Sequence, residues 1–134
     1  MTFRVYYEDT DAGGVVYHAN YLKYIERARS EVFFAAGRSP QVGEAHFVVR
    51  AINARFLAPA KLGDRLTVVT KQGAMRAASF MLIQEVWREG QQLFSAEVEL
   101  AFVEAGRPKR MDAALKAFVQ DAFEALSPRA AARA

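Results

Sequence analysis

The chain of 134 residues contains no cysteine. That excludes disulfides, thiolate zinc sites and a cysteine nucleophile together. Histidine is almost as scarce, with two in the sequence, so a histidine-rich metal centre is not expected. No stretch approaches the roughly 20 apolar residues that span a bilayer, and "MTFRVYYEDT" lacks the apolar segment of a secretory signal. The expectation is a cytoplasmic protein with no membrane insertion. Charge of one sign is also lacking. Eighteen Lys and Arg against 15 Asp and Glu leave a net +3, and the basic residues are spread rather than stacked in one run. This pattern gives no nucleic-acid footprint, although the small positive excess suits anionic ligands.

What the chain has in quantity is apolar and aromatic: 52% hydrophobic residues, with ten Phe and five Tyr. This supplies the core of one domain of common size, expected over residues 1–126, with "SPRAAARA" as a loose basic tail at 127–134. A small domain this rich in aromatics is also a candidate for self-association.

The order of elements follows from hydrophobic period. "FRVYYE" alternates and reads as a short strand. Tyr21, Ile25, Ala28, Val32 and Ala35 form one stripe of a helix, with Asn20 placed to cap its start, Gly37 to end it and Pro40 to stop continuation. Four strand-like segments follow: "HFVVRAINARFL", "RLTVVTKQ", "ASFMLIQEVWR" and "LFSAEVELAFVEA". In the last, Phe94, Ala96, Val98, Leu100 and Phe102 share one face while Ser95, Glu97 and Glu99 share the other. Connections this short cannot carry parallel crossovers, so an antiparallel meander is expected. After "GRPKRMD", Asp112 caps a second helix with Leu115, Phe118, Val119, Ala122 and Leu126 as its apolar positions. The expected class is α+β: a five-stranded antiparallel sheet around one long helix, with a short C-terminal helix.

The chemistry-bearing stretch is "YYEDTDAGGVVYHANY", residues 6–21. As an EF-hand beginning at Asp9 it has Asp9, Asp11 and Gly14 in register, but Gly13 stands at position 5 and Asn20 where the bidentate Glu belongs. Calcium is rejected. Neither G-x-G-x-x-G nor G-x-x-x-x-G-K-[ST] occurs, so a phosphate loop is rejected too. A plain strand-to-helix turn remains open, with acids bonding backbone amides and glycines supplying positive φ. So does a reactive strip, because free N–H groups at a helix start welcome an anion.

Across "YYEDTDAGGVVYHANYLKYIERAR" the chain resembles the hot-dog-fold acyl-CoA thioesterases of the 4-hydroxybenzoyl-CoA thioesterase type, in the YbgC-like branch found beside the Tol–Pal envelope system. The motif D-x-D-x-x-G-x-V-x-H-x-x-Y is met by Asp9, Asp11, Gly14, Val16, His18 and Tyr21. "FLAPAKLGDRL" and "GRPKRM" also resemble that family's turns, and the likeness runs from Phe3 to about Leu126.

The resemblance implies an acyl-CoA thioester hydrolase of the hot-dog fold, with no metal and no cofactor beyond the coenzyme A of its substrate. It assigns catalysis to Asp11, as nucleophile or as general base for water, and an oxyanion-binding amide to His18 at the helix start. The His18 side chain and Tyr7 are further catalytic candidates, with a turn residue and a half-buried strand aromatic as their plain alternatives. Asp9 fits loop stabilisation better than reaction. Gly14, Tyr17 and Tyr21 are candidate substrate contacts, Tyr21 being better suited to the core. Arg55, Lys61, Arg76, Arg107, Lys109 and Arg110 are candidate phosphate ligands for coenzyme A. The family implies a homodimer or homotetramer with the active site at the dimer interface, and acyl carrier protein as a possible partner. Competing readings are a non-hydrolytic acyl-CoA or acyl-carrier-protein binder, and hydratase chemistry, whose His-containing motif is absent here.

Overall fold

A computed structural model describes residues 1–126; the tail expected at 127–134 lies outside the described residues. The chain forms β1 (Thr2–Arg4), α1 (Asn20–Ala35), β2 (Gln41–Val42), β3 (Ala45–Phe56), β4 (Arg65–Met75), β5 (Ser79–Arg88), β6 (Gln91–Glu104), β7 (Arg107–Pro108) and α2 (Ala113–Glu124). All strands join one antiparallel sheet in the order β1-β4-β5-β6-β3-β2, and β7 pairs with β6. The α+β hot-dog arrangement expected from the sequence is present. The strand count is seven rather than five, because two-residue strands flank β3 and β6, too short to leave a periodic signal.

The period-two reading of β6 holds. Phe94, Ala96, Val98 and Leu100 are buried and Glu97 is exposed. Helix α1 lies on that inner face against β4 and β5. Its fully buried row is Tyr21, Ile25, Arg29 and Phe33, with Tyr24 and Ala28 beside it, whereas Ala35 is exposed. The row runs i, i+4 because a twisted sheet turns beneath the helix and slants the contact stripe. The helix ends in a Schellman arrangement, Arg38 N–H donating to Phe33 O at 2.8 Å and Gly37 N–H to Phe34 O at 3.0 Å. Helix α2 packs against β4, burying Leu115, Val119 and Phe123, and Asp112 Oδ1 caps it by accepting Leu115 N–H at 2.7 Å.

Two local expectations change. "FRVYYE" is a strand only to Arg4, since Tyr7–Asp9 winds into a 3-10 turn. Asn20 is the first residue of α1 rather than its cap; Ala19 stands at the cap with no side-chain bond.

Strand β3 carries the feature most relevant to function. Its register slips between Val49 and Ala51, so Phe47 and Val49 pair with Phe102 and Leu100, and then Ile52, Ala54 and Phe56 pair with Val98, Ala96 and Phe94. The bulge at Arg50 rephases the strand and keeps every one of these apolar residues on the inner face. Even so, Val49, Ile52 and Phe56 are 41%, 37% and 54% exposed. Helix α1 lies over β4 and β5, which leaves the inner face of β3 open. The outer edge of β3 is covered by β2 only at Ala45 and His46, and by Pro40 O accepting Phe47 N–H. No described helix is long and apolar enough to cross a membrane.

Candidate active site

The acid-rich strip folds into a two-armed finger. Thr10 and Val16 form an antiparallel bridge, Asp11 N–H donates to Val15 O at 2.9 Å, and Tyr17 N–H donates to Asp9 O at 2.9 Å. Gly14 N–H closes the tip by donating to Asp11 O at 3.0 Å. Gly14 sits at φ +81°, and a Cβ there would meet nothing within 4 Å, so the backbone conformation sets this position. Gly13 is the crowded one. A Cβ there would stand 3.2 Å from Asp11 Oδ1, the same oxygen that accepts Gly13 N–H at 2.8 Å. Gly13 therefore fixes where the Asp11 carboxylate lies. Gly13→Ala is expected to displace that carboxylate and lower kcat by about tenfold to a hundredfold. Steady-state kinetics beside a melting curve check this; an unchanged kcat would show that the carboxylate tolerates the shift.

Asp9 is held by structural bonds. Its Oδ2 accepts Tyr6 N–H at 2.8 Å, and its carbonyl accepts Asn20 Nδ2–H at 2.8 Å. Asn20 thus ties the finger to the helix instead of capping it. Nearby, the Tyr24 hydroxyl is buried without a hydrogen-bond partner among the described residues. Burial first, and then the charge of Asp9, raise its pKa above the usual tyrosine value.

The second arm is welded to residues 57–64. Val15 bridges Lys61, Val16 N–H donates to Ala60 O at 2.9 Å, and Ala60 N–H donates to the Tyr21 hydroxyl at 3.2 Å. Asp64 locks this segment by accepting Lys61 N–H at 2.8 Å and Arg88 Nη1–H at 2.7 Å. Burial alone would raise the Asp64 pKa, but the hydrogen bonds from Lys61 and Arg88 outweigh it and hold the carboxyl below its ordinary value. A depressed carboxylate contributes stability that is present above the unfolded pKa, near 4, and is lost as pH falls through the folded one. Asp64→Asn keeps an oxygen for Lys61 but removes the ion pair, at an expected cost of about 1–2 kcal/mol at pH 7. Thermal melts should show the gap between wild type and variant closing below pH 4; a gap that stays constant with pH would count against the ion pair.

At the helix start, Asn20 N–H donates to Tyr17 O, Tyr21 N–H to His18 O and Leu22 N–H to Ala19 O, a tight opening turn. The amides of His18 and Ala19 donate to no acceptor among the described residues. These are the unsatisfied donors that every helix start offers. They stand beside a cleft of about 320 Å³ lined by Val16, His18, Tyr21, Phe56 and residues 57–59. Tyr21 is both core and wall: 3% exposed, stacked on Phe94 at 5.0 Å and edge-on to Phe56 at 5.7 Å, its pKa raised by burial. The His18 imidazole lies against Tyr17 at 4.5 Å and edge-on to Phe56 at 6.2 Å.

The remaining candidates divide. Tyr7, in the 3-10 turn, is 81% exposed rather than half-buried in a strand, and its ring does not line the cleft. Lys61 sits against the finger, and Arg55, paired with Ser95, lies at the same end of the sheet. Arg76, Arg107, Lys109 and Arg110 gather at the opposite end, where Met111 N–H donates to Ala77 O and Lys109 N–H to Phe102 O. From Ser95 to Glu104 along β6 is about 30 Å. One protomer therefore does not bring its six candidate cations together. Lys109 is also partnered, 3.2 Å from Glu104. Sequence reasoning missed Gly13, Asp64 and Arg88; the "LGD" turn was the only signal for the second of these. Among the described residues no cluster of three or more His, Cys, Asp or Glu could hold a metal.

Comparison with known proteins shows the family. Residues 13–95 match the family described as the thioesterase superfamily. The acyl-CoA thioesterase YbgC of Helicobacter pylori is 45% identical over 112 residues, which are 77% of this chain and 84% of that protein. A probable thioesterase from Bartonella henselae superposes with a TM-score of 0.78 at 34% identity, covering 83% of this chain and 96% of the other. A 1,4-dihydroxy-2-naphthoyl-CoA thioesterase from Synechocystis does so with a TM-score of 0.79 at 26% identity, covering 92% and 93%. By sequence and by fold, the chain belongs to the thioesterase superfamily.

Proposed function

We infer that the protein hydrolyses acyl-CoA thioesters to a free acid and coenzyme A. The carrying observation is the pair of amides at His18 and Ala19, unpartnered among the described residues, opening beside a cleft walled by Val16 of the finger that also carries Asp11, whose own side chain is exposed and outside the cleft lining. The His18 amide receives the oxyanion as the thioester carbonyl is attacked. Loss of one such donor typically costs roughly 3–4 kcal/mol of transition-state stabilisation. Asp11 acts in one of two ways. As nucleophile its carboxylate adds to the carbonyl carbon, the tetrahedral adduct expels the coenzyme A thiolate, and water cleaves the resulting anhydride. As general base it takes a proton from water, which adds instead. Isotope-labelled water distinguishes the routes, since only the anhydride route transfers a labelled oxygen into Asp11. No cofactor enters either route beyond the coenzyme A of the substrate.

The working unit is a homodimer formed through the free outer edge of β3, which is twelve residues long and covered only near its start. Two-fold pairing lays the two β3 strands antiparallel, so the Phe47 end of one meets the Phe56 end of the other. That places Arg107, Lys109 and Arg110 of one copy beside the helix start of its partner, where coenzyme A phosphates need cations. Tyr7, exposed on the protomer, lies in the 3-10 turn that leads into the finger. Further pairing of dimers gives a tetramer.

The test is free-thiol release from a panel of acyl-CoA and acyl-carrier-protein thioesters. Turnover that depends on Asp11 supports hydrolysis. Binding of acyl-CoA without such turnover would leave a non-hydrolytic binder.

A further inference from the structure

The buried row of α1 contains one residue that an apolar row does not need. Arg29 follows Tyr21 and Ile25 and precedes Phe33, and only 9% of it is exposed. Its Nη1 donates to Gln84 Oε1 at a long 3.4 Å. Gln84 is fully buried and held in place, its Nε2 donating to Ile25 O at 2.9 Å and to Thr70 Oγ1 at 3.2 Å. Among the described residues, Arg29 makes no ion pair and no second hydrogen bond. A guanidinium carries five donors in a rigid fork, so four remain unassigned.

Arg29 lines two clefts that meet at its side chain. One, of about 170 Å³, has Phe33, Phe47, Phe80 and Leu100 in its walls. The other, of about 440 Å³, runs over Leu22 and Ile52, and both include Glu26 and Val49. The cleft at the helix start shares no lining residue with these two, but it is the next one along both elements that wall them. Along α1 the walls pass from Tyr21 to Leu22, Glu26 and Arg29; along β3 they pass in the reverse sense from Phe56 to Ile52, Val49 and Phe47. All three lie along the gap that α1 leaves over β3, which forms a trough between the two elements. From His18 to Arg29 the helix rises about 16 Å. The charges facing the trough are Lys23, Arg27 and Arg29 against Glu26, an excess of cation.

We propose that this trough takes the acyl chain and that Arg29 binds a carboxylate at the chain's far end, so the preferred substrates are monothioesters of medium-chain dicarboxylic acids. This rests on the hydrolytic reading above. Phe56, Leu22, Ile52 and Val49 offer the methylenes an apolar path between the charged side chains. A carboxylate meets the free edge of the guanidinium in two parallel bonds, while Gln84 holds the other edge. A methyl end would leave the buried cation as poorly paired as it now stands, and such a site discriminates against a chain that lacks the polar group.

The experiment compares kcat/KM for dodecanedioyl-CoA and dodecanoyl-CoA, read as thiol release, in wild type, Arg29→Met and Arg29→Lys. Wild type is expected to favour the dicarboxylic thioester by about tenfold or more, mainly through KM. The ratio should collapse toward one in Arg29→Met and recover in part in Arg29→Lys. Equal use of both substrates by wild type overturns the proposal while leaving thioester hydrolysis in place, and needs no variant to fold. A parallel loss on both substrates in Arg29→Met overturns it in favour of a structural arginine or one paired by the second copy. Weaker binding of coenzyme A alone to Arg29→Met, measured by calorimetry, overturns it in favour of a phosphate contact. If wild type cleaves neither thioester, the hydrolytic reading falls and the proposal with it.

Discussion

Asp11→Asn is expected to lower thioester hydrolysis by about 1,000-fold with little change in melting temperature, because on the proposed reading it removes the reacting carboxylate and almost nothing else. The Asp11 side chain is exposed, and among the described residues its one hydrogen bond is the contact from Gly13 N–H at 2.8 Å. Asparagine retains an oxygen for that bond, so the finger keeps its shape. Alanine removes the bond as well, and the difference between the two variants isolates positioning of the loop from chemistry. Thiol release and calorimetric binding of a non-hydrolysable acyl-CoA analogue give both readouts. A fall in turnover with binding retained is the expected pair. Asp11→Asn retaining half the wild-type rate would remove the carboxylate from the reaction. His18→Ala is the companion test, since the amide survives the substitution. Its rate should fall by about tenfold to a hundredfold if the imidazole orients water or Asp11. An unchanged rate would leave the ring as packing against Tyr17 and Phe56.

Much of this architecture was legible from period and punctuation. The alternation of β6, the Asp112 cap and the end of α1 at Gly37 each depend on neighbouring residues, and each stands in the structure. What the sequence hid depends on long-range geometry. Arg29 sits among the polar residues Arg27, Ser30 and Glu31 and off the stripe of Tyr21, Ile25 and Ala28, and a heptad stripe ignores the slant that sheet twist imposes on a contact row. The bulge at Arg50 hid the open inner face of β3, since "VVRAIN" has no simple alternation to read. Gly13 and Gly14 were equivalent as letters. Only their dihedral angles and neighbours separate a left-handed turn residue from one that touches the carboxylate. The 3-10 turn at Tyr7–Asp9 overrode the strand propensity of "VYY", because Asp9 turns back to accept Tyr6 N–H and Thr10 N–H donates to Tyr7 O.

Mixing two impaired forms should restore activity, and this is the sharpest consequence of the proposed two-copy site. The cations near Glu104 and the finger bearing Asp11 lie at opposite ends of a protomer, about 30 Å apart along β6. In the proposed dimer, antiparallel pairing of two β3 edges brings one copy's cations to the other copy's finger. Arg107→Gln/Lys109→Gln/Arg110→Gln is therefore expected to raise KM by about tenfold or more, with a smaller effect on kcat, through lost charge-assisted bonds to phosphate. Most of that should come from Arg107 and Arg110, which make no ion pair among the described residues, whereas Lys109 is held by Glu104. When this variant and Asp11→Asn are unfolded together and refolded, mixed dimers contain one site with both defects and one site with neither. Random pairing then makes about a quarter of all sites fully intact. At substrate concentrations below KM, thiol release by the mixture should exceed the mean of the two parents several-fold. Light scattering on the same samples must show dimers or tetramers. A mixture no more active than the mean of its parents would mean that each site draws its cations from its own chain, and the pairing of β3 edges would have to be abandoned as the source of the coenzyme A site.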